Sequence, residues 1–290
     1  MNQIELASRF EEERGRLRSV AYRILGSLTE ADDAVQEAWL RLQRTDADEI
    51  DRLEAWLTTV VARICLNILR NRRLHTEESL DAFTIEPIIS SASWADPEYE
   101  ALLADAVGIA LLVVLGTLKP ADRLAFVLHD MFGVPFDEIA ALVGRSPQAV
   151  RQLASRARRR VRGAAPPPDP DLGRQRAVVD AYFAAAREGD LDALVAVLDP
   201  EVVARSHGRT GVFELRGAAN VARAAMMARQ FAPFARPALV NGTAGAVAFD
   251  GDNPFAILAF TVVDDRALAI DIFNDRELVP RLVRSPDRAS

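Results

Sequence analysis

The sequence has very little sulfur and no long apolar segment. Its single cysteine, Cys65, excludes an intramolecular disulfide and a cysteine-based zinc site. The longest apolar run, residues 106–118, is shorter than the ~20 residues that cross a bilayer. The N-terminus also lacks the basic-then-apolar pattern of a secretory signal. We therefore expect a cytoplasmic protein with no membrane partner, in which Cys65 is a small buried residue.

Histidine and lysine are also scarce. The three histidines, His75, His129 and His207, are scattered without metal-ligand spacing, so we expect no metal and no cofactor. Lys119 is the only lysine, and every other basic residue is an arginine, which makes forked contacts with phosphate and guanine.

The arginines are concentrated, although the net charge of the chain is −7. Seven of them and no acid lie between residues 145 and 163. A second cluster consists of Arg63, Arg70, Arg72 and Arg73. Two basic stripes in an acidic protein indicate directed contact with nucleic acid.

Proline marks the clearest domain boundary. Four prolines fall between residues 166 and 170 and favour a stiff, extended spacer. A weaker boundary near residues 76–95 holds Pro87 and a serine cluster. We predict two all-α modules followed by a third domain. The predicted segments are 6–75 (first module), 76–97 (linker), 98–163 (second module), 164–171 (proline-rich linker) and 172–290 (third domain).

The first module contains an amphipathic helix with Thr29 as its expected N-cap. Its apolar residues repeat at helical spacing from Ala31 to Leu42. The opposite face carries Asp32, Asp33, Gln36, Glu37 and Leu40. The next predicted helix spans 53–73 and has a polar stripe of Thr59, Arg63, Asn67 and Asn71. This stripe is either a solvated helix face or a binding face.

The second module contains a helix-turn-helix pattern. Apolar residues at helical spacing from Phe136 to Val143 are followed by Gly144, which ends a helix, and by Ser146 and Pro147, which begin another. The second helix and the turn carry the polar residues Arg145, Gln148, Arg151, Gln152, Ser155, Arg156, Arg158 and Arg159. Gln pairs with adenine and Arg with guanine in the major groove. The alternative is a helical hairpin with a basic surface, but arginines without compensating acids favour an anionic partner.

These two modules resemble known proteins in the same order. Residues 29–42 and 53–73 are similar to region 2 of bacterial sigma factors of the extracytoplasmic-function (ECF) group. Residues 118–120, Arg123 and 134–161 resemble region 4 of the same family. The resemblance covers roughly residues 6–163. It implies that core RNA polymerase and promoter DNA are partners and that catalysis stays in the polymerase, so the chain itself is not an enzyme.

The resemblance also implies roles for matched residues. Those expected to bind core polymerase are Asp32, Asp33, Gln36, Glu37 and Leu40. Those expected to face the melted −10 element are Arg63, Asn67, Arg70, Asn71, Arg72 and Arg73. Those expected at the −35 element are Arg145, Gln148, Arg151, Gln152, Ser155, Arg156, Arg158 and Arg159.

The third domain has predicted helices at 175–187, 191–198 and 217–231. Its predicted strands are 201–206, 237–241, 244–249, 254–263 and 267–273, with turns at 241–242, 250–251 and 264–265. Helices followed by an antiparallel meander give an α+β fold, and this order resembles the SnoaL-like cone. ECF sigma factors of the SigJ-like subgroup fuse such a domain to region 4. The short proline-rich spacer keeps this domain close to the sigma modules, so we expect an intramolecular contact by which it modulates them.

Three motifs of that subgroup are only partly retained. Of its linker motif, the segment 83–87 keeps Glu86 and Pro87. Its C-terminal motif is loosely kept at 274–278, and a glycine-rich motif is degenerate at 206–211.

The third domain could instead have chemistry of its own. On the predicted strand 267–273, Asp271 shares a face with Ala267, Ala269 and Phe273, so this carboxylate is a candidate for a pocket with His207 and Tyr182. The alternative is that Asp271 is a strand-end polar residue and His207 a surface residue. Two rival functions remain open: a helix-turn-helix regulator with a ligand-sensing domain, and a SnoaL-like enzyme with a DNA-binding appendage. The sequence identifies no ligand.

Overall fold

The computed structural model describes residues 3–45, 50–75, 85–90, 107–164, 167–209 and 211–283. The chain divides into two compact units. The first unit contains Met1–Glu86 and Leu111–Ala165, and the second contains Pro87–Ala110 and Pro166–Ser290. Both helical modules therefore belong to one unit. The segment that follows Glu86 belongs to the other unit, together with the C-terminal domain.

The first unit is helical, as the apolar spacing predicts. Its helices are α1 (Gln3–Leu25), α2 (Leu28–Leu42), α3 (Leu53–His75), α4 (Ile109–Thr117, which begins in the second unit), α5 (Pro120–Phe126), α6 (Phe136–Val143) and α7 (Pro147–Ala164), with a π-helical turn at Val127–Met131. The described helices include none that is both long and apolar enough to cross a membrane.

The predicted N-cap of α2 is wrong by two residues. Gly26, at φ 78°, turns the chain after α1, and Ser27 follows in an extended conformation. The Ser27 hydroxyl accepts a hydrogen bond from the backbone N–H of Glu30 at 3.2 Å. Thr29 therefore lies inside the helix. Since α1 ends at Leu25 and Gly26 turns the chain, Ser27 is the residue that caps α2.

A buried arginine joins the two modules within the first unit. The guanidinium of Arg123 on α5 donates to the carbonyl oxygens of Ile24, at 2.9 Å, and Gly116, at 2.8 Å. Ile24 lies in the last turn of α1, where carbonyl groups lack partners within the helix. Burial, and secondarily the charge of Arg72, lowers the pKa of Arg123 to about 9. Cys65 is fully buried as expected, and burial raises the pKa of its thiol.

The second unit is α+β, which confirms the predicted fold class. Its helices are α8 (Leu172–Glu188), α9 (Leu191–Val197), α10 (Ala218–Met227) and α11 (Leu278–Leu282), with a 3-10 helix at Arg229–Phe234. Its strands are β1 (Ile89–Ser90), β2 (Leu198–Gly208), β3 (Gly211–Arg216), β4 (Ala235–Val240), β5 (Thr243–Asp250), β6 (Asn253–Val263) and β7 (Arg266–Phe273). They form one sheet in the order β1-β4-β5-β6-β7-β2-β3.

The sheet contains the predicted meander and two strands that the sequence did not predict. Strands β4 to β7 pair antiparallel in succession, and their turns hold Asn241, Asp264 and Asp265 at positive φ. Strand β1 has only two residues and β3 is mostly exposed, so neither has a marked apolar alternation. Strand β2 pairs parallel with β7, a long-range pairing that local patterns do not indicate.

Candidate nucleic-acid and partner interfaces

Helix α2 presents an acidic face that contains one exposed leucine. Its apolar side chains are buried, while Asp32, Asp33 and Gln36 are exposed on the opposite face. Asp32 pairs with Arg18, and Glu37 pairs with Arg41 at 2.9 Å. Leu40 is 37% exposed among these polar residues. An apolar side chain within a charged rim is the pattern of a protein-binding surface.

The start of α2 is held by a buried carboxylate from the linker. Glu86 is 8% exposed, and its Oε2 accepts hydrogen bonds from the Ser27 hydroxyl at 2.9 Å and the Thr29 N–H at 3.1 Å. Its backbone carbonyl accepts from the Tyr22 hydroxyl at 2.9 Å. A negative charge is favourable at a helix N-terminus. The sequence marks Glu86 only as part of a partly retained motif, and its capping role follows from the tertiary contacts.

Replacement of this carboxylate tests its contribution to the first unit. Glu86→Gln keeps the shape and removes the charge, and we expect it to lower the free energy of unfolding by about 1–2 kcal/mol. Urea denaturation monitored by circular dichroism measures the change. The control is Glu11→Gln, which removes an exposed pair with Arg14 and should cost less than about 0.5 kcal/mol. Equal effects of the two substitutions would contradict the capping role.

Helix α3 brings four of its predicted residues to one exposed stripe. Arg63, Asn67, Arg70 and Asn71 are all exposed. Arg72 differs, because it donates to the carbonyl of Leu25 and pairs with Glu30. The Arg73 side chain lies outside the described residues. The stripe therefore offers two amides and two guanidinium groups on one side of a helix.

The helix-turn-helix is formed as predicted. Gly144 has φ 68° at the end of α6, and the Ser146 hydroxyl accepts from the backbone N–H of Ala149 at 3.3 Å. Helix α7 begins at Pro147, and buries Val150, Leu153, Ala154 and Ala157. The predicted residues that are exposed at the turn and on α7 are Arg145, Gln148, Arg151, Gln152, Ser155, Arg156 and Arg159.

The expectation that no acid compensates these arginines is wrong for two of them. Arg156 pairs with Asp122 of α5 at 3.0 Å, and Arg158 pairs with Asp130 at 2.7 Å. Both acids are distant in sequence, which is why the local composition did not reveal them. Within the described ranges, Arg145, Arg159, Arg160 and Arg162 form no ion pair. The surface remains basic.

The pocket predicted in the third domain contains one of its three expected residues. A cavity of about 1080 Å³ is lined by Tyr182 but not by His207 or Asp271. His207 Nε2 lies 2.9 Å from Asp271 Oδ1, so these two side chains do meet. The cavity is lined instead by Ile270 and Ile272, the neighbours of Asp271. Asp271 therefore points to the opposite face of the sheet.

A bulge in the β6–β7 pairing explains why Asp271 faces away from the predicted pocket. Thr261 and Val262 of β6 pair with Ala269 and Ala267 of β7, which leaves Leu268 as an extra residue. An extra residue reverses the alternation of side chains along a strand. Ala267 accordingly belongs to the same apolar core as Ile270. Ala267 and Asp271, which the alternation predicts on one face, therefore lie on opposite faces of the strand.

The described residues contain no group of three or more His, Cys, Asp or Glu that could hold a metal ion. His129 is half-buried, with Nδ1 3.0 Å from the carbonyl oxygen of Val134 and its ring stacked on Phe136. The His75 side chain lies outside the described residues.

Comparison with known proteins identifies both helical modules. Residues 9–75 match the model of Sigma-70 region 2, and residues 109–161 match that of Sigma-70, region 4. The chain is 40% identical over 286 residues to the ECF RNA polymerase sigma factor SigJ of Mycobacterium tuberculosis, covering 92% of this chain and 91% of that protein. It is 37% identical over 199 residues, 69% of each chain, to the "Probable ECF RNA polymerase sigma factor SigI" of the same species.

A solved structure resembles almost the whole chain. The crystal structure of the Mycobacterium tuberculosis extracytoplasmic function sigma factor SigJ superposes with a TM-score of 0.75 at 36% identity, covering 94% of this chain and 97% of that one. The similarity thus includes the C-terminal domain as well as the two sigma modules. This chain belongs to the ECF RNA polymerase sigma factors.

Proposed function

We propose that this sigma factor acts in the cytoplasm, where it binds core RNA polymerase and directs it to promoter DNA. The exposed face of α7 is the observation that carries the proposal, because it combines base-reading and phosphate-binding side chains on one recognition helix. Catalysis remains with the polymerase. The exposed face of α2 (Asp32, Asp33, Gln36, Glu37 and Leu40) is the proposed contact with the core enzyme.

The two DNA-contacting helices have different proposed tasks. On α7, Arg151, Gln152 and Ser155 face the bases of the −35 element, while Arg145 and Arg159 contact phosphates. On α3, the Arg63–Asn71 stripe faces the melted −10 strand, where amides hydrogen-bond unstacked bases and arginines bind the backbone. Arg156 and Arg158 reach DNA only if they exchange Asp122 and Asp130 for phosphates. Each of these two contacts is weak alone. Once one helix is bound, the other is held near its own promoter element at a high effective concentration, so the two together bind more tightly.

Transcription with purified components tests this function. We expect run-off transcripts from a randomised promoter pool when core polymerase and this chain are both present, and none when either is omitted. A gel-shift assay separates the rival regulator, which would bind duplex DNA without core enzyme. Failure of core enzyme to capture the full-length chain would overturn the proposal.

The C-terminal domain is proposed to regulate the sigma modules through the linker between them. Its supporting observation is that β1 of the linker pairs with β4 at the edge of the C-terminal sheet. Asn241, in the β4–β5 turn, binds both backbone groups of Ile88: its N–H donates to the carbonyl at 2.7 Å, and its Oδ1 accepts from the N–H at 2.8 Å. Its Nδ2 also donates to the carbonyl of Val107 at 3.0 Å.

A linker held in this way restricts the sigma modules. Regions 2 and 4 must engage two separate promoter elements at once, and a linker that is a strand of a third domain is not free to span them. We therefore infer that the docked linker is the less active state, and that its release raises promoter occupancy.

Asn241→Gly tests this regulation without disturbing the turn. Glycine accepts the φ of 50° at this position but removes the side-chain bonds to Ile88 and Val107. We expect amide exchange of Ile88 and Ile89 to accelerate at least about tenfold and run-off transcription to increase. Asp264→Gly, at the same φ in the β6–β7 turn, is the control. If amide exchange of Ile88 and Ile89 became faster while transcription stayed unchanged, the proposal that the docked linker regulates the sigma modules would be rejected.

A further inference from the structure

One arginine of the recognition helix is held by an acid that lies outside that helix. The Nε–H of Arg158 on α7 donates to Asp130 Oδ1 at 2.7 Å, and Nη2 lies 2.5 Å from the same oxygen. These two nitrogens form an edge of the guanidinium group that binds carboxylates and phosphates. Arg158 therefore cannot offer this edge to DNA while the pair with Asp130 is intact.

Arg158 lies on the face of α7 that is proposed to meet DNA. Arg151, Ser155 and Arg158 are spaced by four and three residues, so they follow one face of the helix. Arg158 lies about 10 Å beyond Arg151 along the helix axis, where the end of a recognition helix approaches the phosphate backbone. Its side chain is 37% exposed. Released from Asp130, it would add one phosphate contact to this face.

Asp130 lies where its charge does not favour its own helix. The helical run that begins at Pro120 passes into the π-helical turn Val127–Met131 and ends there. Asp130 is thus in the last turn, where the helix dipole disfavours a negative charge. Asp122, the acid that pairs with Arg156, lies instead in the first turn of α5, where a negative charge is favourable. The position of Asp130 is therefore better explained by its contact with α7.

The carboxylate of Asp130 is also held in place by the turn around it. The N–H of Val134 donates to the carbonyl of Leu128 at 2.9 Å, and the ring of His129 stacks on Phe136 of α6. The Asp130 side chain is only 19% exposed. A fixed carboxylate loses less side-chain entropy on pairing than a mobile surface acid does, so it competes well with a DNA phosphate. π-Helical turns are also frequent at functional sites.

We propose that Asp130 is an intramolecular competitor of DNA phosphate, and that it lowers the affinity of the chain for duplex DNA when core polymerase is absent. Its pair with Arg158 must break before this arginine contacts a phosphate, so little binding free energy is gained from that contact. The inference rests on the proposed role of α7 in DNA binding. A chain that binds bulk duplex weakly stays available to polymerase, and in the holoenzyme the second contact at the −10 element compensates for the weaker one.

Asp130→Asn tests this competition, because it keeps the shape of the side chain and removes its charge. The measurement is fluorescence anisotropy of a labelled non-promoter duplex titrated with the full-length chain, without polymerase, at salt concentrations from about 50 to 200 mM. We expect Asp130→Asn to bind roughly three- to tenfold more tightly than the original protein. The slope of log affinity against log salt concentration should steepen by about one, because one more phosphate is neutralised.

A double variant separates the release of Arg158 from the loss of a negative charge. Asp130→Asn with Arg158→Gln has the same net charge as the original protein and no arginine to release, so its duplex affinity should return to within about twofold of the original. The control for the charge change is Glu11→Gln on α1, which removes an exposed pair with Arg14. It should bind the duplex as the original protein does.

Three results would overturn the proposal. The first is unchanged or weaker duplex binding by Asp130→Asn while circular dichroism shows it folded. The second is a double variant that binds as tightly as Asp130→Asn, which would assign the gain to the lost charge alone. The third is the absence of duplex binding by both the original protein and Asp130→Asn at the lowest salt concentration.

The outcome is distinguishable from that of the sigma function itself. Core-dependent transcripts together with any of these three results would reject only the competition by Asp130. A gain in duplex affinity in Asp130→Asn, without core-dependent transcripts from the original protein, would reject only the sigma function.

Discussion

Asp33→Lys combined with Leu40→Ala should weaken binding of this sigma factor to core polymerase by about 2–3 kcal/mol, or roughly 30- to 150-fold. Asp33 forms no ion pair among the described residues, so its charge is available to a basic partner. Leu40 is 37% exposed and has apolar surface left to bury. Lysine at position 33 replaces attraction with repulsion, and alanine at position 40 removes an apolar contact.

Titration of fluorescently labelled chain with core polymerase measures this loss. The control is Asp180→Lys with Leu191→Ala: Asp180 is exposed on α8, and Leu191 on α9 is 40% exposed. It makes the same chemical changes in the C-terminal unit and should leave the affinity within about twofold. The affinity of the tested variant should also depend less on salt, because a charge contact is lost. An equal loss in both double variants would reject α2 as the docking face.

Arg151→Ala should lower the affinity of the holoenzyme for its promoter by about 1–3 kcal/mol and relax the preference at one −35 position. Arg151 is exposed on α7, and its guanidinium lies 5.5 Å from the centroid of the Phe136 ring. Stacking on a ring pre-orients the guanidinium plane, which favours a bidentate contact with one base. The measurement is promoter selection from a randomised −35 pool, followed by titration of the selected sequence.

Arg159→Ala is the matched comparison on the same helix. Arg159 is exposed and forms no ion pair in the described part of the chain, so its proposed contact is a phosphate. Its loss should weaken binding to all promoters about equally. It should also lower the slope of log affinity against log salt concentration by about one in magnitude. If Arg151→Ala also weakened all −35 sequences equally, Arg151 would not be a base reader.

Much of this molecule was predictable from local patterns. Helical spacing of apolar residues predicted α2, α6 and α7 and the side chains that each helix leaves exposed. Gly144, Ser146 and Pro147 marked the turn between α6 and α7, because each residue suits only a few backbone conformations. The turns at Asn241 and Asp264 were predictable for the same reason. These features depend on residues within one or two helical turns of each other.

Most of the features that local patterns did not predict involve residues far apart in the sequence. The cap of α2 comes from Ser27 and Glu86 rather than Thr29. The acids that pair with Arg156 and Arg158 precede these two arginines by 34 and 28 residues. The alternation along β7 is reversed by the extra residue Leu268, and this placed the Asp271 carboxylate outside the cavity.

The sequence by itself determined the family, the order of the helical modules, and the exposed faces of α2, α3 and α7 that we propose as contacts with polymerase and promoter. Helix periodicity and charge are local properties, so a single chain displays them directly. Only the tertiary structure decided that the linker supplies β1, that Asn241 binds it, and that Tyr182 lines an apolar cavity without His207 and Asp271. Those outcomes depend on hydrogen-bond register and strand pairing between residues far apart in sequence, which no local pattern encodes.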